Sequence, residues 1–216
     1  SENSLNNFDL FDLLERLKFL KNKYTVKLSD TLINSLALPS LKKFLSKNEL
    51  CTEFDLSKIL VKPSFYIELC DVFNDNNTLT VLDISGVYFE QNEIELLVER
   101  LKNQKTLRCL KAVKCGLIEK RLLSFLRIFI QDNSNLITTL DLSDNIWYTE
   151  KEVTKVGQII AFRTILETVT LKNCVQLNQC SNAISLKYFF SNMNILRVDY
   201  SGWQCTGGFF VESIPE

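Results

Sequence analysis

The sequence predicts an α/β solenoid, a parallel sheet of about seven short strands backed by helices. Three observations predict it. An eleven-residue strand-and-turn pattern recurs seven times, its copies start at regular intervals, and the stretches between them carry helical spacing. The clearest copy is 137–147, ITTLDLSDNIW. Its apolar residues at the first, fourth, sixth and eleventh places, Ile137, Leu140, Leu142 and Trp147, alternate as a strand buried on one face. Asn145, at the ninth place, turns the chain, and its amide can satisfy backbone groups that would otherwise be buried unpaired.

The copies start at residues 23, 51, 79, 107, 137, 166 and 195, spaced 28, 28, 28, 30, 29 and 29 residues apart. Chance matches to an apolar pattern are common, but seven in register are not. Ahead of them, residues 5–21 place Phe8, Phe11, Leu14 and Leu17 at helical spacing, with Asp9 and Asp12 early and Arg16 late, as the helix dipole favours. Residues 1–22 are therefore a capping helix or the end of a preceding repeat. Helical spacing also appears at 36–45, 65–73, 94–101, 122–130, 153–162 and 183–190. Pro39 sets a helix start at or just after itself, and Pro63 suits a first turn. After the seventh strand only 206–216 remain, a tail or an incomplete repeat; an array ending on a bare strand is expected to continue in a longer chain.

The pattern resembles the leucine-rich repeat, L-x-x-L-x-L-x-x-N/C-x-L, over residues 23–205. A period near 28 with a full helix in each unit resembles the ribonuclease-inhibitor-like class. Cys115, Asn145 and Cys174 keep the ninth-place residue. Thr31, Ile59, Val87 and Trp203 replace it, so irregular loops are expected there. The resemblance implies a protein-interaction module. Architectural relatives include ribonuclease inhibitor, innate immune sensor arrays, actin regulators such as tropomodulin, and the Ran GTPase-activating protein. A GTPase-activating or actin-regulatory role is therefore the alternative expectation.

Chemistry is scarce. The chain has no histidine, which removes Ser-His-Asp and Cys-His catalysis and every histidine-containing zinc site. No glycine-rich phosphate loop is present, and the seven cysteines include no C-x-x-C pair. Neither a metal nor a cofactor is expected, and no enzyme. Most of the cysteines hold apolar repeat positions, as reduced thiols in a cytoplasmic or nuclear protein would. The 25 Lys and Arg against 26 Asp and Glu argue against a dedicated nucleic-acid binder, and no apolar run reaches the roughly 20 residues of a membrane span.

What remains is surface. The second, third, fifth, seventh and eighth places face the open side of the sheet. The fourth repeat gathers Arg108, Lys111 and Lys114 there, flanked by Asp83, Asp141 and Asp144. The arrangement is a basic anchor for an acidic or mixed-charge protein segment, framed by acid to reject wrong partners. It is equally the alternation that keeps neighbouring strands attractive. Tyr88 and Tyr148 fall along one rim and are candidate contacts, since aromatic residues dominate interface energetics.

Overall fold

The computed structural model describes residues 7–29, 31, 35–59, 61–73, 76, 78–102, 104–130, 136–162, 165–177 and 197–205. The predicted helix at 183–190, the repeat start at 195 and the tail 206–216 lie outside them. The architecture is a leucine-rich-repeat solenoid. Its seven-stranded parallel sheet contains β1 (Tyr24–Lys27), β2 (Cys51–Asp55), β3 (Val81–Asp83), β4 (Cys109–Lys111), β5 (Thr139–Asp141), β6 (Thr168–Thr170) and β8 (Arg197–Asp199), ordered as in the chain. A separate two-stranded pair joins β7 (Gln176–Leu177) to β9 (Gln204–Cys205).

Register follows the fourth place. Val26, Phe54, Leu82, Leu110, Leu140, Val169 and Val198 stand side by side across the sheet. The first six of them are buried and point towards the helices.

The helices are α1 (Asn7–Leu17), α2 (Leu38–Lys47), α3 (Pro63–Phe73), α4 (Gln91–Leu101), α5 (Glu119–Ile130) and α6 (Glu150–Phe162). A 3₁₀ turn, Ser35–Ala37, leads into α2, and Pro39 sits in its first turn, where a missing N–H costs nothing. Each helix buries one stripe. Leu38, Leu41, Phe44 and Leu45 do so in α2, and Ile94, Leu97, Val98 and Leu101 in α4. The α6 start is fixed by Thr149 and Glu152, which exchange bonds as a capping box. Glu152 also accepts the Glu119 N–H at 2.7 Å, so it caps the start of the neighbouring α5.

The turns leaving the strands differ from expectation. At the repeats of Ile59 and Val87, which lack a ninth-place donor, the chain turns as it does elsewhere. The reason is that the sixth-place carbonyls of the first six repeats each find a side-chain donor. Cys115 Sγ donates to Ile84 at 3.3 Å, Asn145 Nδ2 to Ala112 at 2.8 Å, Cys174 Sγ to Leu142 at 3.0 Å and Trp203 Nε1 to Leu171 at 2.6 Å. Where the ninth residue cannot reach back, another group substitutes. The Tyr66 hydroxyl, from α3, donates to Leu56 at 3.1 Å, and the Thr31 hydroxyl serves Leu28 within its own repeat. A buried carbonyl without a donor would cost about 1–3 kcal/mol, which these six donors avoid.

The opposite margin, where helices return to strands, carries its own amides three residues before the repeat start. Asn48 Oδ1 accepts from Leu50 and Cys51 at 2.9 and 2.7 Å. Asn76 Oδ1 accepts from Thr78 and Leu79, while its Nδ2 donates to Leu45 in the last turn of α2 and to Asn48 just after it, at 2.9 and 3.2 Å. Gln104 continues the column, accepting from the Thr106 hydroxyl. The N-x-T triplet at 76–78 is thus structural, since its asparagine is 4% exposed and fully engaged.

Candidate functional site

A parallel sheet is ordinarily covered on both faces. Here helices cover one face, and among the described residues no element covers the other. The third- and fifth-place side chains of the strands stand on that open face, half-buried by their neighbours in β2 to β6 and exposed at Thr25, Lys27 and Arg197.

The fifth-place row carries the charges. Asp55, Asp83, Lys111 and Asp141 are consecutive register partners across β2, β3, β4 and β5. The predicted trio Asp83, Lys111 and Asp141 is therefore brought together on adjacent strands. Each aspartate is also part of the fold. Asp55, Asp83 and Asp141 accept the backbone N–H of Ser57, Ser85 and Ser143 at 2.9, 2.9 and 3.0 Å, closing the turn after each strand. Among the described residues no ion pair within 4 Å joins Lys111 to either neighbour.

The other charged candidates are placed differently. The Arg108 guanidinium folds back onto the carbonyls of Lys105 and Leu107, at 3.1 and 3.2 Å, so it braces its own loop. Lys114 and Asp144 occupy the eighth place, which is left-handed in every described repeat. Lys58, Gly86, Lys114, Asp144, Asn173 and Gly202 have φ of 56, 80, 54, 59, 54 and 75°. Glycine, asparagine and aspartate take that region most readily, whereas the two lysines carry strain. Asp144 Oδ1 accepts from Asn173 Nδ2 at 2.9 Å, joining neighbours of the same column.

On the rim where strands lead into helices, Tyr88 is 54% and Tyr148 59% exposed. Tyr88 is held on two sides. Its ring covers Gly116 of the next repeat, and the Arg121 guanidinium of α5 lies 4.4 Å from the ring centroid. Sequence reasoning missed Arg121, whose partner lies a full repeat away. It also missed Ile146, which is 37% exposed on the same rim two residues from Tyr148. Trp147 and Trp203 are structural. Trp147 is fully buried, with its indole donating to Leu117 at 3.0 Å, and Trp203 packs on the core.

Burial favours the protonated form of the four described thiols. Burial pushes Cys51, Cys115 and Cys174 up to about 12, and burial also raises Cys109 on the open face. Among the described residues no group of three or more Cys, Asp or Glu is placed to hold a metal, and no helix is long and apolar enough to cross a membrane. A cleft of about 300 Å³ lies between the starts of α5 and α6, lined by Lys120, Leu123, Lys151, Lys155 and the capping residues Glu119, Thr149 and Glu152. Glu152 accepts the N–H groups at both helix starts, so those anion-attracting ends are already occupied.

No protein-family model matches the sequence, and no curated protein does. Among solved structures the chain is similar to actin-binding site 2 of leiomodin-1, at 15% identity and a TM-score of 0.41, over 88% of this chain and 92% of that one. It is also similar to TLR13 from a complex with ssRNA13, at 12% identity and a TM-score of 0.45, over 87% of this chain and 25% of that one.

Proposed function

We propose that the chain is a non-enzymatic interaction module that binds another protein through its open sheet face and the adjoining rim. The observation that carries this reading is Lys111. It stands unpaired between Asp83 and Asp141, each braced to its own turn, on a face that nothing described covers. A charge held apart from its neighbours contributes little to the fold and is available to a partner. Asp83, Arg108, Lys111, Lys114, Asp141 and Asp144 form the face, and Tyr88 and Tyr148 the rim. The partner is a protein with an acidic or mixed-charge segment, met inside the cell, and neither nucleic acid nor a cofactor takes part. The period and the helix in each unit favour the ribonuclease-inhibitor-like class. The proposed organisation is seven repeats over residues 23–205, with residues 1–22 as a cap or the end of an earlier repeat.

The test is affinity capture from source-cell lysate with the parent protein, a Lys111→Glu/Lys114→Glu variant and a Tyr88→Ser/Tyr148→Ser variant. Loss of a saturable partner in the first variant, with thermal stability unchanged, supports the face. Loss in the second alone moves the site to the rim. Retention in both variants overturns the proposal.

A further inference from the structure

We infer that the open face accepts an α-helix lying across the strands, with basic, basic, acidic and basic side chains at i, i+3, i+7 and i+10. The inference rests on the interaction reading above and specifies the partner's shape and charge order.

The row to be matched is Asp55, Asp83, Lys111 and Asp141, one residue per strand, the middle of a longer row in which Lys27 stands beside Asp55 and Thr170 beside Asp141. Its charges are presented in fixed positions. Each aspartate commits Oδ1 to the serine N–H two residues ahead, which holds its rotamer and leaves Oδ2 outside that bond. Lys111 lies within reach of two carboxylates and pairs with neither among the described residues. A charged row with one inverted member specifies an order of charges in its partner, as a uniform patch does not.

Spacing then selects the partner's secondary structure. Adjacent strands lie about 4.8 Å apart, so the row spans about 14 Å. On an α-helix, residues i and i+10 are separated by about 15 Å along the axis, and i, i+3, i+7 and i+10 share one face. An extended chain repeats a face every two residues, and its four same-face residues cover about 20 Å. It would drift out of step by a full strand. The third-place row alongside holds Glu53, Val81, Cys109 and Thr139, so a second carboxylate stands at the Asp55 end and small or medium side chains flank the rest of a helix about 10 Å wide.

The probes are three alanine-rich helical peptides carrying four charges at those positions. The matched peptide reads Lys, Lys, Glu, Lys. A second has the same composition with Glu at the first of the four places, a control that neither binding orientation can match. The third has four lysines. Binding is read by fluorescence anisotropy at low ionic strength. The matched peptide is expected to bind the parent protein about tenfold more tightly than the same-composition control. Lys111→Glu is expected to transfer the preference to the four-lysine peptide. Equal binding of the matched and control peptides, or an unchanged preference in Lys111→Glu, overturns the helix geometry alone. A lysate partner that survives Lys111→Glu/Lys114→Glu and Tyr88→Ser/Tyr148→Ser overturns the interaction reading beneath it.

Discussion

Asn145 Nδ2 donates to the Ala112 carbonyl at 2.8 Å and binds the turn of one repeat to the strand of the repeat before it. The same side chain accepts the N–H groups of Cys115 and Leu117 at 2.9 and 3.0 Å and donates to Leu142 at 2.7 Å. All of this occurs at 1% exposure. Asn145→Ala leaves several buried backbone groups unpaired and is expected to cost about 3 kcal/mol. Asn145→Cys keeps a donor of the kind that Cys115 and Cys174 supply, and should cost less. Urea unfolding of the two variants measures the difference, and equal losses would show that the donation to Ala112 contributes little.

Lys114 holds φ of 54° at a place where Gly86 and Gly202 stand in other repeats. Left-handed backbone costs a side-chain-bearing residue about 1–2 kcal/mol, while glycine gives back about 0.5–1 in lost chain freedom. Lys114→Gly is therefore expected to raise stability by about 0.5–1 kcal/mol. Lys114→Val, with a branched side chain, is expected to lower it. Thermal melts of both decide the point.

The buried thiols make the fold sensitive to alkali. An unfolded cysteine loses its proton near its ordinary value of 9.0, whereas Cys51, Cys115 and Cys174 hold theirs to about 12 when folded. Between those values the unfolded chain binds fewer protons, so stability is full below about pH 9 and falls as pH rises towards 12. The slope is at most about 1.4 kcal/mol per pH unit for each thiol. Cys115→Ser/Cys174→Ser keeps hydroxyl donors that do not titrate in this window, and should flatten the fall in urea midpoints. At pH 8, iodoacetamide should label these three thiols only as fast as the chain opens.

Gly116 combines a φ of 66° with the Tyr88 ring, which would lie 2.8 Å from an added Cβ. Gly116→Ala is expected to cost about 1–3 kcal/mol by strain and by displacing the ring. Removing the ring relieves the second part. The double variant Gly116→Ala/Tyr88→Ala should therefore lose less than the two single losses added together. Strict additivity in chemical denaturation would show that the ring moves aside freely.

The strands and helices were legible because burial imposes its periods on the sequence, and Trp147 could be assigned to the core from its place alone. The eighth-place column was hidden because Lys58 and Lys114 tolerate a conformation their type does not advertise. Tyr66 was hidden for another reason. It replaces the missing ninth-place donor from within a helix ten residues away from Leu56, and no local pattern carries that relationship. The fifth-place aspartates read as surface charges, yet each also closes a turn, a second role visible only once the serine N–H positions are known.

Bonds between neighbouring repeats run along both margins of the molecule. On the helix-to-strand side Asn48 and Asn76 reach back to the preceding strand and helix end, and the Thr106 and Thr138 hydroxyls donate back to Asn76 and Arg108. On the strand-to-helix side Cys115, Asn145, Cys174 and Trp203 reach back likewise, and backbone bonds such as Lys58 N–H to Ser85 and Lys114 N–H to Ser143 join successive turns. A stack bound at both margins has no spine about which to open like a book. A bending load therefore stretches hydrogen bonds on whichever side it opens.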